Sequence, residues 1–293
     1  MNEQRSFMDK EAAGKITLVP TPIGNLDDMT YRAVKTLQEA DVIAAEDTRH
    51  TKKLCHVFEI ATPLVSYHEH NKRSRGEELL ARVRSGEHVA VVSDAGMPAV
   101  SDPGAELVYA AKAEGLPVIA LPGANAALTS LIASGLPTDS FTFIGFVDRK
   151  KKKRKQVLTS WQAVPSTLLF YESPHRLKEM LEASLEVLGD RRAAIGRELT
   201  KQYETIITGT LAELVNWAED LEIKGECVLL IEGASEEEQE AAEGTAWWEP
   251  LSVVEHVEKY IEAGEKSKQA IKLTAIDRDL PKRDVYQAYH IEK

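Results

Sequence analysis

Residues 89–104, VAVVSDAGMPAVSDPG, decide the fold of this chain. The stretch begins with a short apolar run, VAVV, and turns polar at Ser93. An apolar run bounded by turn-forming residues is typical of a strand buried on both faces, as in a parallel sheet. The SDPG turn at its end predicts the start of a helix, with Asp102 as the N-cap and Pro103 in the first turn.

Asp94 and Gly96 come directly after this predicted strand. In open α/β sheets, ligands bind at the edge where the carboxyl ends of the strands lie. A loop that only joins a strand to a helix explains Asp102 as a cap, but it gives no reason for Asp94 and Gly96. We therefore expect a binding site at this edge, with a plain connecting loop as the alternative.

The composition indicates a globular protein with more than one domain. The chain has 293 residues, of which 43% are hydrophobic and 28% charged, and its net charge is −11. The sequence predicts no membrane span and no signal peptide. Two distant cysteines, Cys55 and Cys227, fit a reducing cytoplasm. The acidic balance argues against nonspecific nucleic-acid binding by the whole surface, but it leaves room for a local basic patch.

Five strand-then-helix units follow one another in the first part of the chain. Asp28 is predicted to cap the helix of the first unit. Because this alternation predicts a mainly parallel sheet, the unusual residues that follow each strand should meet at one edge. The strands are predicted at residues 16–20, 42–45, 64–67, 89–92 and 118–121.

From residue 140 the pattern changes to that of a second α/β domain with a mixed sheet. Its strands are predicted at residues 141–147, 167–171, 193–198, 203–208 and 227–231. We predict a flexible tail at residues 1–13, an N-terminal α/β domain at 14–124, a second α/β domain at 125–233, an acidic linker at 234–246, and a helical, helix-turn-helix-like module at 247–293.

The loops at the strand ends suit one kind of ligand. The loop at residues 21–26 has a single glycine, so it matches neither a dinucleotide fingerprint nor a P-loop. Asp94 can accept hydrogen bonds from ribose hydroxyls or an amino group, and Gly96 permits a close approach of the backbone. The PGAN turn at residues 122–125 offers backbone N–H groups to a carboxylate. A nucleoside that carries an amino acid would satisfy both halves.

Six motifs, in this order along the chain, resemble those of a known family. They are TPIGNL at residues 21–26, AEDTR at 45–49, SDAGMP at 93–98 with SDPG at 101–104, LPGA at 121–124, YESPHR at 171–176 and GRELTK at 196–201. Across residues 15–233 and into the C-terminal module, the chain resembles the ribosomal RNA small-subunit methyltransferase I family. That family belongs to the tetrapyrrole-methylase-like group of S-adenosylmethionine-dependent methyltransferases.

The resemblance implies two α/β domains of tetrapyrrole methylase type and a small C-terminal helical module. It implies 2′-O-methylation of a cytidine ribose in the decoding region of 16S rRNA, in the small ribosomal subunit, by a cytoplasmic homodimer without a metal. In this group the methyl donor, S-adenosylmethionine, lies between the two domains. By position, the donor contacts would be Ile23, Gly24, Asp94, Gly96, Met97, Asn125, Ala126, Tyr171 and Gly225.

The carboxylates and cations of the motifs supply candidates for the remaining roles. Methyl transfer to a ribose hydroxyl needs alignment and benefits from a base that takes the proton. The candidates for proton handling or ribose orientation are Glu46, Asp47, Glu172 and Glu198, with the choice left open. The candidates for RNA phosphates are Arg49, Lys150, Lys151, Lys152, Lys153, Arg154, Arg176, Arg197 and Lys201.

Each of these assignments has a structural alternative. Glu198 with Lys201 could be a surface pair, and Glu172 with Arg176 a helix pair. Residues 68–70, HEH, lack a third ligand at metal-binding spacing. The basic run at residues 149–155, predicted as a loop, could be a solvated charged segment rather than a phosphate grip.

Two rival functions stay open at this stage. One is a methyltransferase that acts on a small tetrapyrrole, which would need neither the lysine run nor the C-terminal module. The other is a non-catalytic rRNA-binding factor, which would not need an intact donor pocket.

Overall fold

The structure is a computed structural model that describes residues 3–4, 14–219, 223–243, 248 and 251–291. The chain divides into two compact units, Met1–Gln162 with Ser166–Gly233, and Ala163–Pro165 with Ala234–Lys293. Most of the predicted tail at residues 1–13 lies outside the described residues. Gln4 is described, and its side-chain amide donates to Val118 O and accepts from Val118 N, both at 3.0 Å.

The first sheet of the first unit is parallel throughout, in the order β3-β2-β4-β1-β5. Its strands are β1 (Lys15–Leu18), β2 (Val42–Ala45), β3 (Leu64–Ser66), β4 (His88–Val92) and β5 (Val118–Ala120). The helices that follow them are α1 (Tyr31–Glu39), α2 (Thr48–Val57), α3 (Lys72–Arg84), α4 (Ala105–Ala113) and α5 (Ala126–Ser134). All of β2 and most of β4 are buried because helices cover both faces. The predicted parallel sheet is confirmed.

Two predicted helix caps are wrong. Asp28 lies in a short 3₁₀ turn, and α1 starts later, where the Thr30 hydroxyl accepts from Ala33 N at 3.1 Å. Helix α4 starts at Ala105 after Gly104, whose φ of 141° only glycine adopts easily. Asp102 is therefore two residues too early to cap α4, and its carboxyl group is free for another role.

The second sheet of the first unit is mixed, in the order β6-β7-β10-β8-β9. Its strands are β6 (Phe141–Phe146), β7 (Thr167–Glu172), β8 (Arg192–Arg197), β9 (Thr205–Thr210) and β10 (Cys227–Ile231), with helices α6 (Lys151–Ser160), α7 (Pro174–Leu188) and α8 (Leu211–Trp217). Only β6 and β7 run parallel; the other pairs are antiparallel. The predicted mixed α/β architecture is confirmed.

Helices make up the described part of the second unit beyond residue 234. They are α9 (Glu236–Glu243), α10 (Val253–Glu262), α11 (Ser267–Asp277) and α12 (Lys282–Ile291). A small apolar core that includes Val257, Ile271 and Val285 joins α10, α11 and α12. Helix α9 falls within residues 234–246, the predicted acidic linker, of which 244–246 are not described. Every helix in the described ranges is too short or too polar to cross a bilayer.

His256 of α10 is fully buried. Arg278 Nε donates to its Nδ1 at 3.1 Å, and its Nε2 lies 3.2 Å from Asp277 Oδ2. The rings of Trp248 and Tyr260 stack against it, with centroids at 5.4 and 5.3 Å. Burial lowers the pKa of His256, and the nearby Asp277 opposes this shift without reversing it.

We expect acid to loosen the second unit. The lowered folded pKa means that the unfolded unit binds the His256 proton more readily. The stability contributed by the neutral ring is therefore present above the ordinary pKa of 6.5 and is lost as the pH falls through the folded value. Hydrogen exchange of α10 and α11 in the intact chain, corrected for intrinsic rates, should show more frequent opening below pH 6.5 than above it.

The variant His256→Gln provides the control for this prediction. It removes the titrating ring, so its opening should vary less with pH than that of the unsubstituted chain, even if the variant is less stable. Equal opening at both pH values in the unsubstituted chain would contradict the prediction.

Candidate functional site

Three loops at the carboxyl edge of the first sheet meet around Gly96. Thr21 and Gly96 form an isolated antiparallel bridge, with both N–H to O distances at 3.0 Å. A Cβ on Gly96 would lie 3.3 Å from Ile23 Cγ2 and 3.5 Å from Ala124 O. The φ of Gly96 is 78°, in the region that favours glycine. The loops after β1, β4 and β5 therefore converge, as the sequence predicts.

Carboxyl groups gather at the same edge. Asp94 Oδ1 accepts from Asp47 N at 3.0 Å, which ties the ends of β4 and β2 together. Burial raises the pKa of Glu46, and the Asp94 charge adds to the shift. Burial and the Glu46 charge raise the pKa of Asp102 to about 6, against a hydrogen bond with Ser93. The edge is thus a cluster of acids that favours a positively charged ligand.

The carboxylate of Asp47 is bound by Arg49 rather than by a member of this cluster. Its Oδ1 accepts from Arg49 N at 2.8 Å, as the N-cap of α2. The Arg49 guanidinium grips the same carboxylate, with Nε at 3.1 Å and Nη2 at 2.7 Å from its two oxygens. These hydrogen bonds hold the pKa of Asp47 well below its usual range. The side chain of Arg49 is 88% exposed, so it can also reach an external anion.

Tyr171 at the end of β7 brings the second sheet to this site. It packs with Ile23 and Ala126 against an apolar cluster under α5. Burial raises the pKa of Tyr171, and a hydrogen bond with the Ala127 backbone opposes the shift. Asn125 caps α5, accepting from Leu128 N at 2.9 Å. The two sheets therefore meet at one contact region, which we call the seam. It is formed by the loop after β1, the start of α5 and the end of β7.

Lys201 contacts the loop after β1 at a second part of the seam. A Cβ on Gly24 would lie 2.4 Å from Lys201 Cγ, so the lysine stem rests on the glycine backbone. Lys201 Nζ lies 2.9 Å from Glu198 Oε1 and 3.0 Å from Glu226 Oε2. Burial alone would lower the pKa of Lys201, but the two carboxylates raise it overall. A Cβ on Gly225 would clash with the Glu198 carboxyl group, so Gly225 belongs to the same cluster.

Glu172 and Arg176 form a buried pair behind the seam. Glu172 is 2% exposed; its Oε1 accepts from Ser173 N at 2.8 Å and its Oε2 lies 3.3 Å from Arg176 Nη2. Burial raises the pKa of Glu172 despite this partner. Arg176 Nη2 also donates to Val147 O at 2.7 Å, so the pair fixes the chain that leaves β6.

The basic run at residues 149–155 divides between two faces of α6, which begins at Lys151. The predicted loop is therefore wrong for most of the run. Asp148 Oδ1 accepts from Lys150 N at 2.8 Å and ends the irregular segment. Arg154 is only 3% exposed, with Nη2 2.8 Å from Glu179 Oε2 on α7. Lys155 pairs with Glu186 on the same helix.

The remaining lysines of the run keep an exposed position. Lys150, Lys152 and Lys153 are exposed, and Lys153 Nζ lies 3.3 Å from Asp148 Oδ2. Lys151 is exposed too, but its charge interacts with the glutamates of α7. Lys151, Arg154 and Lys155 thus interact with α7, and Lys150, Lys152 and Lys153 face solvent, where an external partner can reach them.

The structure brings some of the predicted site residues together and separates others. Two predicted cations serve the fold: Arg197 donates to Lys224 O at 3.1 Å and to Thr205 Oγ1 at 3.1 Å, and Arg154 is buried. The predicted residues that lie at the seam or in its loops are Ile23, Gly24, Glu46, Asp47, Asp94, Gly96, Met97, Asn125, Ala126, Tyr171, Glu198, Lys201 and Gly225.

Three residues at this edge of the first sheet were not predicted as site residues. Asp102 was assigned to a helix cap, although the SDPG motif itself pointed to it. Thr21 and Ser93 are joined by a hydrogen bond from Thr21 Oγ1 to Ser93 O at 3.2 Å. Among the described residues, no group of three or more His, Cys, Asp or Glu side chains is arranged to hold a metal ion.

Comparisons with known proteins identify the family of the chain. The family model described as tetrapyrrole (corrin/porphyrin) methylases matches residues 15–215. The chain is 55% identical to a Bacillus subtilis protein and 56% identical to a Halalkalibacterium halodurans protein, over 100% of both chains in each case. Both relatives are named ribosomal RNA small subunit methyltransferase I.

A solved structure of lower identity shares the fold. It is uroporphyrin-III C-methyl transferase from Thermus thermophilus, complexed with S-adenyl homocysteine. The TM-score is 0.51 at 22% identity, with 74% of this chain and 97% of that chain covered.

We expect Gly24→Ala to destabilise the first unit by about 1–3 kcal/mol, as overpacking does. The added methyl group would lie 2.4 Å from Lys201 Cγ and 2.9 Å from Thr200 Oγ1, so the seam would have to open. Gly76→Ala is the matched control, because its Cβ meets nothing within 4 Å in the interior of α3. That control should stabilise the chain by about 0.5–1 kcal/mol. Urea unfolding of both variants tests this, and equal effects would contradict it.

Proposed function

The chain belongs to the tetrapyrrole methylase family and, within it, to the ribosomal RNA small subunit methyltransferase I proteins, and from this premise we propose what it does. It transfers the methyl group of S-adenosylmethionine to RNA of the small ribosomal subunit. The acceptor is the ribose 2′-hydroxyl of a cytidine in the decoding region of 16S rRNA.

The observation that carries the proposal is the seam at which two sheets meet. The loops around Gly96 and the side chain of Tyr171 approach one another there, beside the acids of the first sheet. A few residues beyond the end of β6, the chain carries exposed lysines. The proposed donor site and the proposed polyanion-binding surface would thus be joined by the end of β6, as RNA methylation requires.

The residues at the seam fit the chemistry of S-adenosylmethionine. The acids Glu46, Asp94 and Asp102 suit its sulfonium, ammonium and ribose hydroxyl groups. Backbone N–H groups at the start of α5 suit its carboxylate. The apolar surface of Ile23 and Tyr171 suits its adenine. We propose as donor contacts the residues Ile23, Gly24, Asp94, Gly96, Met97, Asn125, Ala126, Tyr171 and Gly225.

The main task of the protein in this reaction is to align the methyl donor with the ribose hydroxyl. When bound, the donor supplies an activated methyl carbon, whose bond to sulfur breaks as its bond to the ribose oxygen forms. Holding the two reactants in line is worth about 7–11 kcal/mol of the barrier. The hydroxyl proton must leave, and a positioned base contributes about 10²–10⁴-fold.

Glu46 is the base that we propose among the four predicted carboxylates. Burial and the Asp94 charge raise its pKa toward the range in which a base works well. Each of the others is engaged: Asp47 with Arg49, Glu198 with Lys201, and Glu172 in a buried pair. These three are better suited to holding the shape of the site.

The cations of the chain divide between RNA contacts and structural roles. Arg49 and the exposed lysines of the basic run are our proposed phosphate contacts, since their side chains face solvent. Lys201 is partly exposed but paired at the seam, and Arg176 is partly exposed but paired behind it, so both would contact RNA only at the inner side of the site. Arg154 and Arg197 drop out of the proposed contacts because the fold already engages them.

Three further features of the proposal rest on the family relationship. The working form is a homodimer, the reaction needs no metal, and the site of action is the cytoplasm, where small subunits are assembled. The activated donor makes a Lewis acid unnecessary for the transfer.

We expect small ribosomal subunits, incubated with the protein and donor labelled in its methyl group, to acquire label in rRNA. Digestion to nucleosides should yield 2′-O-methylcytidine, and the phosphodiester at that position should resist alkali, because the 2′-oxygen can no longer attack it. Asp94→Ala should bind the donor at least tenfold more weakly by calorimetry, since it removes an acceptor at the seam. Asp139→Ala, an exposed acid, is the control and should change neither.

The same assay separates the rival functions. Label in an added tetrapyrrole but not in rRNA would support a tetrapyrrole methyltransferase. Donor binding with no transfer to RNA of subunits or to naked rRNA would support a non-catalytic binding factor. Either result would overturn the proposed function.

We expect Lys150→Gln/Lys152→Gln to weaken rRNA binding and to flatten its dependence on salt. Each lost phosphate contact should reduce the slope of log K against log salt by about 0.7–0.9. Affinity for the donor should not change, because these lysines lie outside the seam. Filter binding at several salt concentrations measures the slope.

The matched control removes the same charge elsewhere. Lys35→Gln/Lys112→Gln neutralises two exposed lysines on α1 and α4 and should leave the slope nearly unchanged. An equal loss of affinity in both double variants would mean that only net charge matters, and the assignment of the basic run would be wrong.

A further inference from the structure

Phe146, the last residue of β6, is a large apolar side chain left in solvent. It is 61% exposed, and β6 is an edge strand of the second sheet. Its ring stands edge-on to Tyr171, with centroids 5.6 Å apart and planes at 60°. Tyr171 belongs to the seam through Ile23 and Ala126, so Phe146 extends the apolar wall of the seam outward to solvent.

A β-bulge turns Phe146 toward the seam. The register between β6 and β7 shifts between Phe143 and Gly145, so Phe143 faces Leu169 and Phe146 faces Tyr171. In an unbroken strand, residues three positions apart point to opposite faces. The extra residue puts both rings on the face of Tyr171, and Phe143 also stands edge-on to it, at 4.9 Å. Bulges beside functional sites often re-aim a side chain in this way.

The backbone on both sides of Phe146 is fixed. Gly145 has a φ of 73°, and a Cβ on it would lie 3.2 Å from Ser101 Oγ, in the loop that carries Asp102. Val147 O accepts from Arg176 Nη2 at 2.7 Å. The backbone that carries the exposed ring is therefore held between the loop after β4 and the end of β7, and Tyr171 contacts the ring from one side. Because this backbone is already fixed, it loses little conformational freedom when a partner binds the ring.

We propose that Phe146 is the platform on which a base of the rRNA substrate stacks. This inference rests on the proposed function and names a substrate-binding residue for it. The base is that of the target nucleotide or of its immediate neighbour, and its backbone runs toward the basic run that starts three residues later. Every base has a flat face, so such a platform binds single-stranded RNA without reading its sequence.

The charge around Phe146 favours RNA over a protein partner. The chain as a whole carries a net charge of −11, yet Lys150, Lys152 and Lys153 follow Phe146 within seven residues. An aromatic ring beside a basic track is the arrangement that binds single-stranded nucleic acid.

The test compares two phenylalanines of the same strand. Phe141 is the first residue of β6, on the same face as Phe146, and it is 45% exposed. It is far from the carboxyl end of β6, where Phe146 contacts Tyr171. We expect Phe146→Ala to raise the KM for small subunits or naked rRNA by about tenfold to hundredfold, as the loss of one stacked base does. Phe146→Trp should retain activity, and Phe141→Ala should behave as the unsubstituted chain. Donor affinity, by calorimetry, should be the same in all of them.

Three outcomes would overturn the inference while leaving the proposed function intact. The first is an unchanged KM in Phe146→Ala when the unsubstituted chain methylates rRNA. The second is a weaker donor affinity in that variant, which would put Phe146 in the donor pocket. The third is a changed sedimentation coefficient, which would make the ring a contact between two copies. If the unsubstituted chain transfers no label to rRNA, the proposed function itself fails.

Discussion

The closeness of the loop after β1 to both sheets is the constraint on which the rest of the site depends. This loop pairs with Gly96 through Thr21, packs Ile23 under α5, and lets Lys201 rest on Gly24. The last contact exists only because Gly24 has no side chain. The positions of Gly96, Ala126 and Tyr171 among the proposed donor contacts therefore depend on this loop.

The acids at the seam have an electrostatic cost that a cationic ligand would relieve. Burial raises the pKa of both Glu46 and Asp102, and the Asp94 charge adds to both shifts. Like charges are held this close because backbone contacts fix them, such as Asp47 N on Asp94. A sulfonium placed among them would stabilise their ionised forms. Its charge disappears on transfer, so the same acids would then hold the product less tightly.

The sequence predicted the strands well because their signals are local. Residues 42–45 and 227–231 were predicted as strands with the limits that the structure shows. It also predicted that odd residues would gather at one edge, since parallel strands share a carboxyl end. The helix starts at Asp28 and Asp102 were wrongly predicted because a residue that can cap a helix marks a local turn. Such a residue does not by itself show that a helix begins there. Asp102 is a half-buried acid, and its hydrogen bond with Ser93 is a tertiary contact that no local pattern encodes.

The basic run shows why the remaining site assignments could not come from sequence alone. Seven consecutive cations carry no mark of which side faces α7, yet the helical period sends Arg154 and Lys155 inward to Glu179 and Glu186. The bulge at Gly145 was not predicted either, although a glycine inside a strand often marks one. Its effect is to place an aromatic ring on the face of Tyr171, while Arg176 ties the next residue to the buried Glu172. One strand end thereby lies between the proposed donor side of the seam and the basic helix, so under the proposed function the fold itself would set the distance between the methyl donor and a bound RNA backbone.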